Sequence, residues 1–432
     1  MTEPSHPQNS SRQAPRSFKY VLMLGALAAL PALTTDMYLP SLPAVEADLH
    51  TTQAAAQLTL SGTLVGAGIG QLVIGPFSDR FGRRLPLLIG ISLHVAISLL
   101  CSMTPNIETL TGLRVLQGFF NAAAAVVALA VIRDRFVGSA AARLLSRLML
   151  VIGVAPLLAP TVGQAIAGAW NWRAVFYALA LIGFYALALI GLVLVAVVVK
   201  FMPETLPEDR RSSGHPRHVA RAYWTLLRDR HFMALAVIPG LGLALIMSYV
   251  VGSPFVFQNE YGLSPQQFAL VFALNGAALV LSAQLNAALV RKFPPSRLLR
   301  TALLVQLGFA LLLLLVVATG AGGAFGVVAG LWLVLSMQGM IPANASVLAL
   351  HNYGHMAGTA AAVIGALQSG VAGLVSPLVG VLGGNSLSMV CVMIGSCALA
   401  VLVLALGTPA YRKGGWPEHA GNDGGQRVGA DG

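Results

Sequence analysis

Charge is scarce in this chain. Aspartate, glutamate, lysine and arginine together make up 9% of its 432 residues, against about 25% in a soluble globular domain. Acids are the rarer sign, 15 against 26 basic residues. A chain so poor in charge cannot cover a water-exposed surface, which excludes the soluble classes. Cysteine is almost missing as well. Cys101, Cys391 and Cys397 lie in or beside apolar stretches, without the spacing of a metal site, and read as small buried apolar residues. No long polar segment exists. The largest polar gap is Pro203–Arg230, too short for the extramembrane domain of a receptor. No nucleophile–base pair, phosphate loop or metal cluster stands out. His351 and His355 have an i,i+4 spacing but no third ligand, and the enzyme classes lose support accordingly.

Apolar residues fill the place of what is missing, at 56% of the chain. They fall into about twelve runs, from Tyr20–Pro40 to Leu387–Leu406, each near or above the roughly 20 residues that span a bilayer. The tenth is expected at Gly323–Leu350 and the eleventh at Gly358–Leu382. The first run continues past Ala-Leu-Ala and is read as a retained span, not a cleaved leader. Nearly all the basic residues sit in alternate gaps between runs, and only Arg114 and Arg173 are left over. That bias predicts an orientation with both termini in the cytoplasm. It also turns the net charge of +11 away from nucleic acid and toward the bilayer.

Pro203–Arg230 leaves six runs on either side, the plan of two six-helix halves. The expected organisation is a polar N-terminus (1–17), a first half (18–201), a linker (202–230), a second half (231–408) and a polar tail (409–432). The fold class is therefore an all-α membrane protein of twelve transmembrane helices in two halves.

Within the first run lies Thr34-Thr35-Asp36-Met37-Tyr38-Leu39-Pro40. Asp36 is the one acid that the runs place at membrane depth, and an intramembrane acid marks a functional site. At 1.5 Å per residue, Asp36 lies roughly 24 Å along its helix. Arg114, in the fourth run, lies at nearly the same depth. An electrostatic pair is expected, with burial and guanidinium acting in opposite directions to tune the carboxyl for proton exchange.

Gly75-Pro76-Phe77-Ser78-Asp79-Arg80-Phe81-Gly82-Arg83-Arg84 follows the second run. Its glycines fit a tight turn. Asp79 is expected to meet a helix N-terminus or Arg133, and Asp134 to pair with Arg83, together latching the helix ends. The spacing resembles the signature loop of the major facilitator superfamily. In the fifth run, Gly153, Pro156, Pro160 and Gly163 combine helix-bending prolines with small residues that permit close approach. The pattern resembles the antiporter motif of drug exporters, except that Gln164 stands where a second glycine is usual.

Further stretches widen the resemblance: Leu113-Arg114-Val115-Leu116-Gln117-Gly118, Gly252-Ser253-Pro254-Phe255-Val256, Gly262-Leu263-Ser264-Pro265 and Ala357-Gly358-Thr359-Ala360-Ala361. With the Asp36 motif, they make the chain similar to the Bcr/CflA branch of drug–proton antiporters, over nearly all but its tails. The resemblance implies a monomeric inner-membrane exporter of small amphipathic drugs, driven by the proton gradient and needing no cofactor. Proton chemistry would rest on Asp36 with Arg114. In carriers of this plan the first, fourth, seventh and tenth helices line the cavity. That makes Met37, Tyr38, Gln117, Asn121, Gln338 and Asn344 the candidate substrate contacts. A carrier of a small metabolite, or one independent of protons, is the alternative.

Overall fold

The computed structural model of the chain describes residues 18–135, 158–182 and 216–410. The expected N-terminal tail, all but the first two residues of the C-terminal tail, Gly153, Pro156 and the first part of the 202–230 linker lie outside these. The chain divides into two compact units, Met1–Gly214 and His215–Gly432.

In the first unit, α1 (Phe18–Asp36) is followed by a short 3-10 turn, Leu39–Ser41, and by α2 (Leu42–Asp48). Then come α3 (Gln53–Phe81), α4 (Arg84–Ser102) and α5 (Ile107–Arg135). A helix over 158–169, α6, and α7 (Trp172–Ile182) complete its described part. The first span does not run as one helix to Pro40. Pro40 and Pro43 cannot donate in a helix interior, and the chain re-forms α2 after the turn.

A seam of small residues joins α3 to α5. Gly62, Gly66 and Gly70 recur every fourth position and face Thr111, Val115, Phe119 and Ala122, while Gly118 of α5 faces Thr63 and Ala67. A methyl group on Gly66 would fall 1.9 Å from the Val115 carbonyl oxygen, and one on Gly118 the same distance from that of Thr63. The two backbones thus touch directly. In a bilayer, where apolar burial does not drive helices together, such contact is a main source of cohesion.

The second unit contains α8 (Pro216–Arg228), α9 (Arg230–Pro254), α10 (Pro265–Leu289), α11 (Pro295–Thr319), α12 (Gly323–Leu335), α13 (Ile341–Leu350), α14 (Ala357–Val375), α15 (Leu378–Val381) and α16 (Ser386–Gly407). Helix α9, with the π-turn Phe255–Glu260 that extends it, is 83% buried over its apolar stretch; α10 and α11 are 28% buried. The first is the core of the unit, and the other two display leucines outward. Among the described residues, eight helices are long and apolar enough to cross a membrane.

Two expected spans are interrupted. The tenth is broken into α12 and α13 by a turn over 336–340, where Gly339 lies against the main chain of Ser282 and Ala283 and Pro342 enters the first turn of α13. The eleventh ends at Val375 and restarts after Pro377 as α15. The linker, expected as a polar connection, contains α8.

Candidate transport site

Asp36 is the last residue of α1 and is buried, 6% exposed. Its Oδ1 lies 3.0 Å from the Thr35 hydroxyl. Among the described residues it forms no ion pair. Arg114 reaches the same depth, as expected, but meets a different partner. Both terminal guanidinium nitrogens donate to the Thr34 carbonyl oxygen at 3.2 Å. A helix leaves its last carbonyls without intrahelical donors and gathers partial negative charge there. The end of α1 therefore takes the place of the expected carboxylate.

The rest of the Arg114 environment completes a fully buried cation. One nitrogen also donates to Gln117 Oε1 at 2.5 Å, and the guanidinium carbon lies 4.7 Å from the centre of the Tyr38 ring and 5.6 Å from that of Phe176. Aromatic faces stabilise a desolvated guanidinium. Gln117 passes the network on by donating to Ser98 on α4 at 2.7 Å, and Ser98 donates to the His94 carbonyl at 2.7 Å. The His94 ring is fully buried, and among the described residues neither nitrogen has a hydrogen-bond partner.

The six expected substrate contacts separate by what their polar atoms already do. Met37 is buried, and its main chain lies under Gly163 of α6, where an added methyl would sit 1.9 Å from the Met37 carbonyl oxygen. Close approach is thus the use of this glycine. Pro160 is in α6 as well. The Tyr38 hydroxyl is 3.0 Å from that of Thr59. Gln117 is committed at both ends, as described. Asn344 donates to Asn286 Oδ1 and to the Met340 carbonyl, each at 2.7 Å. Asn121 and Gln338 differ. Asn121 donates to the Thr34 hydroxyl at 3.0 Å, while its buried Oδ1 has no partner among the described residues. Gln338, on the turn between α12 and α13, accepts from Gln306 at 2.8 Å, while its Nε2 is buried, pressed over Gly242 and without a partner among the described residues.

The basic loop forms a compact ion cluster. Arg83, the residue that caps α4, donates to Asp79 at 2.5 Å, to Asp134 at 2.8 Å and to Ser78 at 2.6 Å. It ties the end of α3 to the start of α4 and the end of α5. The expected Arg83–Asp134 contact is present, but the partner of Asp79 is Arg83. Arg133 lies in α5. Gly82 ends α3 at φ +89°, a conformation that favours glycine. Gly75, expected in the turn, is inside α3 with open space around it. Arg80 and Arg84 are exposed.

Arg173, one of the two basic residues that did not fit the charge bias, has its own partners. It pairs with Asp48, the last residue of α2, and donates to the Thr104 carbonyl at 3.2 Å, at the start of the turn into α5. Trp172 donates to the same Asp48 oxygen at 3.0 Å.

A family model described as the Major Facilitator Superfamily matches residues 24–377. The chain belongs to the major facilitator superfamily. It is a multi-pass membrane transporter with that superfamily's twelve-helix fold, not an enzyme. Among curated proteins it is 36% identical to an uncharacterized MFS-type transporter, YdgK, of Bacillus subtilis, over 88% of this chain and 93% of the relative. It is 29% identical to a bicyclomycin resistance protein homolog of Haemophilus influenzae, over 91% and 96% of the two chains. It is also 29% identical to a chloramphenicol resistance protein of Pseudomonas aeruginosa, over 83% of each. The xylose transporter XylE of Escherichia coli, in a partially occluded inward-open conformation, has the same fold. It matches with a TM-score of 0.67 at 16% identity, over 90% of this chain and 97% of XylE.

Proposed function

We propose that the chain is a drug–proton antiporter of the Bcr/CflA type, a monomer in the bacterial inner membrane with both termini in the cytoplasm. The observation that carries this reading is Asp36, a buried carboxyl at the end of α1 with no cation paired to it among the described residues. A proton is the simplest partner for a carboxylate so placed. Relatives named for bicyclomycin and chloramphenicol resistance support the substrate class.

In the proposed cycle the transporter takes a small amphipathic drug from the cytoplasmic side with Asp36 deprotonated. Facing outward, Asp36 takes a proton and affinity for the drug falls. Return of the proton to the cytoplasm resets the carrier. Coupling is a difference in affinity between the two states, and no cofactor is needed. Arg114 acts on the same helix end through Thr34. Of the six expected contacts, Asn121 in the first unit and Gln338 in the second each keep a polar atom without a partner among the described residues, and each is proposed as a substrate contact of its own unit. The Arg83 cluster is the latch that changes with state.

Inside-out vesicles with an acidic interior and a pH-sensitive dye test the reading. Phenicols, bicyclomycin-like compounds, sulfonamides and lipophilic cations are added in turn. Substrate-dependent proton release with the wild type, absent with Asp36→Asn, is expected. Folded protein that releases no protons with any of them would overturn drug–proton exchange and favour a metabolite carrier.

A further inference from the structure

Helix α8 has no part in the transport reading, yet its surface is unusual. Thirteen residues long, it spans about 20 Å, too short to cross a bilayer. Only Asp229 separates it from α9, and that residue is extended, with φ −79° and ψ 106°, and caps α9 by accepting from the N–H groups of His231 and Phe232. Helix α8 therefore sits at the point where the core helix of the second unit leaves the apolar region.

Its two faces differ. Leu226 is fully buried, with Val219, Ala222 and Tyr223 partly buried beside it. The opposite face presents Trp224 at 57% exposure and Leu227 at 50%, flanked by exposed Arg221 and Arg228. The Arg228 guanidinium lies over the Trp224 ring, 4.8 Å from its centre. Among the described residues the indole N–H of Trp224 has no acceptor. The helix contains no acid, and Arg230 follows it, exposed. The Asp229 carboxylate is already occupied by Tyr353 and the α9 amides.

A large indole and a leucine do not remain in water without cost. A cationic rim rules out burial in the hydrocarbon. Aromatic rings with basic residues around them match the headgroup layer, where the ring meets the upper acyl chain and each guanidinium meets a phosphate. We infer that the Arg221–Trp224–Leu227–Arg228 face of α8 is a docking surface for anionic phospholipid headgroups, holding this helix flat on the bilayer where α9 emerges.

The full-length protein in nanodiscs tests this in two ways. First, brominated phosphatidylglycerol or phosphatidylcholine is introduced, and Trp224 quenching is taken as the difference between wild type and Trp224→Phe. Quenching is expected, stronger by severalfold with the anionic lipid. Second, phosphatidylglycerol retention is measured by native mass spectrometry for wild type and Arg221→Gln/Arg228→Gln. A basic residue near an anionic surface is worth roughly a fivefold change in affinity, so the double variant should lose most of the bound lipid, and salt should weaken the wild type likewise. Trp224 untouched by either lipid would overturn the proposal and leave a protein partner as the occupant. Equal quenching by both lipids, or equal retention by a double variant of unchanged melting temperature, would overturn the anionic preference.

Discussion

Arg114 and Asp36 approach the same end of α1 without pairing: the guanidinium binds the Thr34 carbonyl at 3.2 Å, and the carboxyl takes the Thr35 hydroxyl at 3.0 Å. A double-mutant cycle distinguishes this arrangement from an ion pair. Arg114→Gln alone should destabilise by about 1–3 kcal/mol, because the Thr34 carbonyl loses its donor. With Asp36→Asn, the coupling energy should stay below about 0.5 kcal/mol. Thermal unfolding of the detergent-solubilised variants measures it, and a coupling above about 1 kcal/mol would mean that the two charges meet after all.

In the basic loop, burial sets the order of effects. The Arg83 side chain is 4% exposed and that of Asp134 13%, but that of Asp79 is 48% exposed. Arg83→Gln strands a largely buried carboxylate and should cost about 3 kcal/mol. Asp79→Asn loses a screened contact and should cost under about 1 kcal/mol. Melting temperatures check the ranking; equal losses would contradict it.

Two glycines of α3 should respond oppositely. Gly66→Leu drives a side chain into the Val115 carbonyl and should cost about 3 kcal/mol or more. Gly75→Ala meets nothing within 4 Å and should stabilise by up to about 1 kcal/mol through helix propensity. If both destabilise alike, the seam is not where the structure has it.

The Tyr353–Asp229 contact should depend on pH at both extremes. Burial alone would lift the Asp229 carboxyl, but the Tyr353 hydroxyl and the N–H groups of Phe232 and His231 outweigh it, and the carboxyl titrates below its ordinary range. Its stabilisation is present above the unfolded value of about 3.9 and is lost as pH falls through the folded one. Desolvation and the neighbouring Asp229 push Tyr353 up to about 12. That contribution is present below about 10 and is lost as pH rises through the folded value. Hydrogen exchange across residues 351–356, corrected for intrinsic rates, should be level from about pH 5 to 9 and rise outside that range. Unchanged protection at low pH would rule the contact out as a tie.

Much of this was legible in the residues. Run lengths and gap charges gave the helical membrane plan, and the fixed rise of a helix brought Arg114 to the depth of Asp36. Its actual partner was not legible, because an unpaired carbonyl belongs to the end of a helix and to no residue type. The break in the tenth span lies inside a long, mostly apolar run, marked only by Ser336, Gln338, Gly339 and Pro342. The Gly62–Gly66–Gly70 spacing is legible in the sequence by its period of four, whereas its partner surface on α5 is not, because Val115 and Phe119 contribute main-chain atoms to the contact. The glycine expected to turn the chain, Gly75, stays helical, since α3 continues to Phe81.

Backbone contact between α3 and α5 has a mechanical meaning. Where Gly66 and Gly118 bring main chain against main chain, little side-chain packing is left to yield, and the two helices should move together. Arg114 is anchored near one end of α5 and Asp134 at the other, about 30 Å apart by helical rise. A tilt of α5 begun beside the end of α1 would therefore carry α3 with it and be felt at the Arg83 cluster, where both helices end.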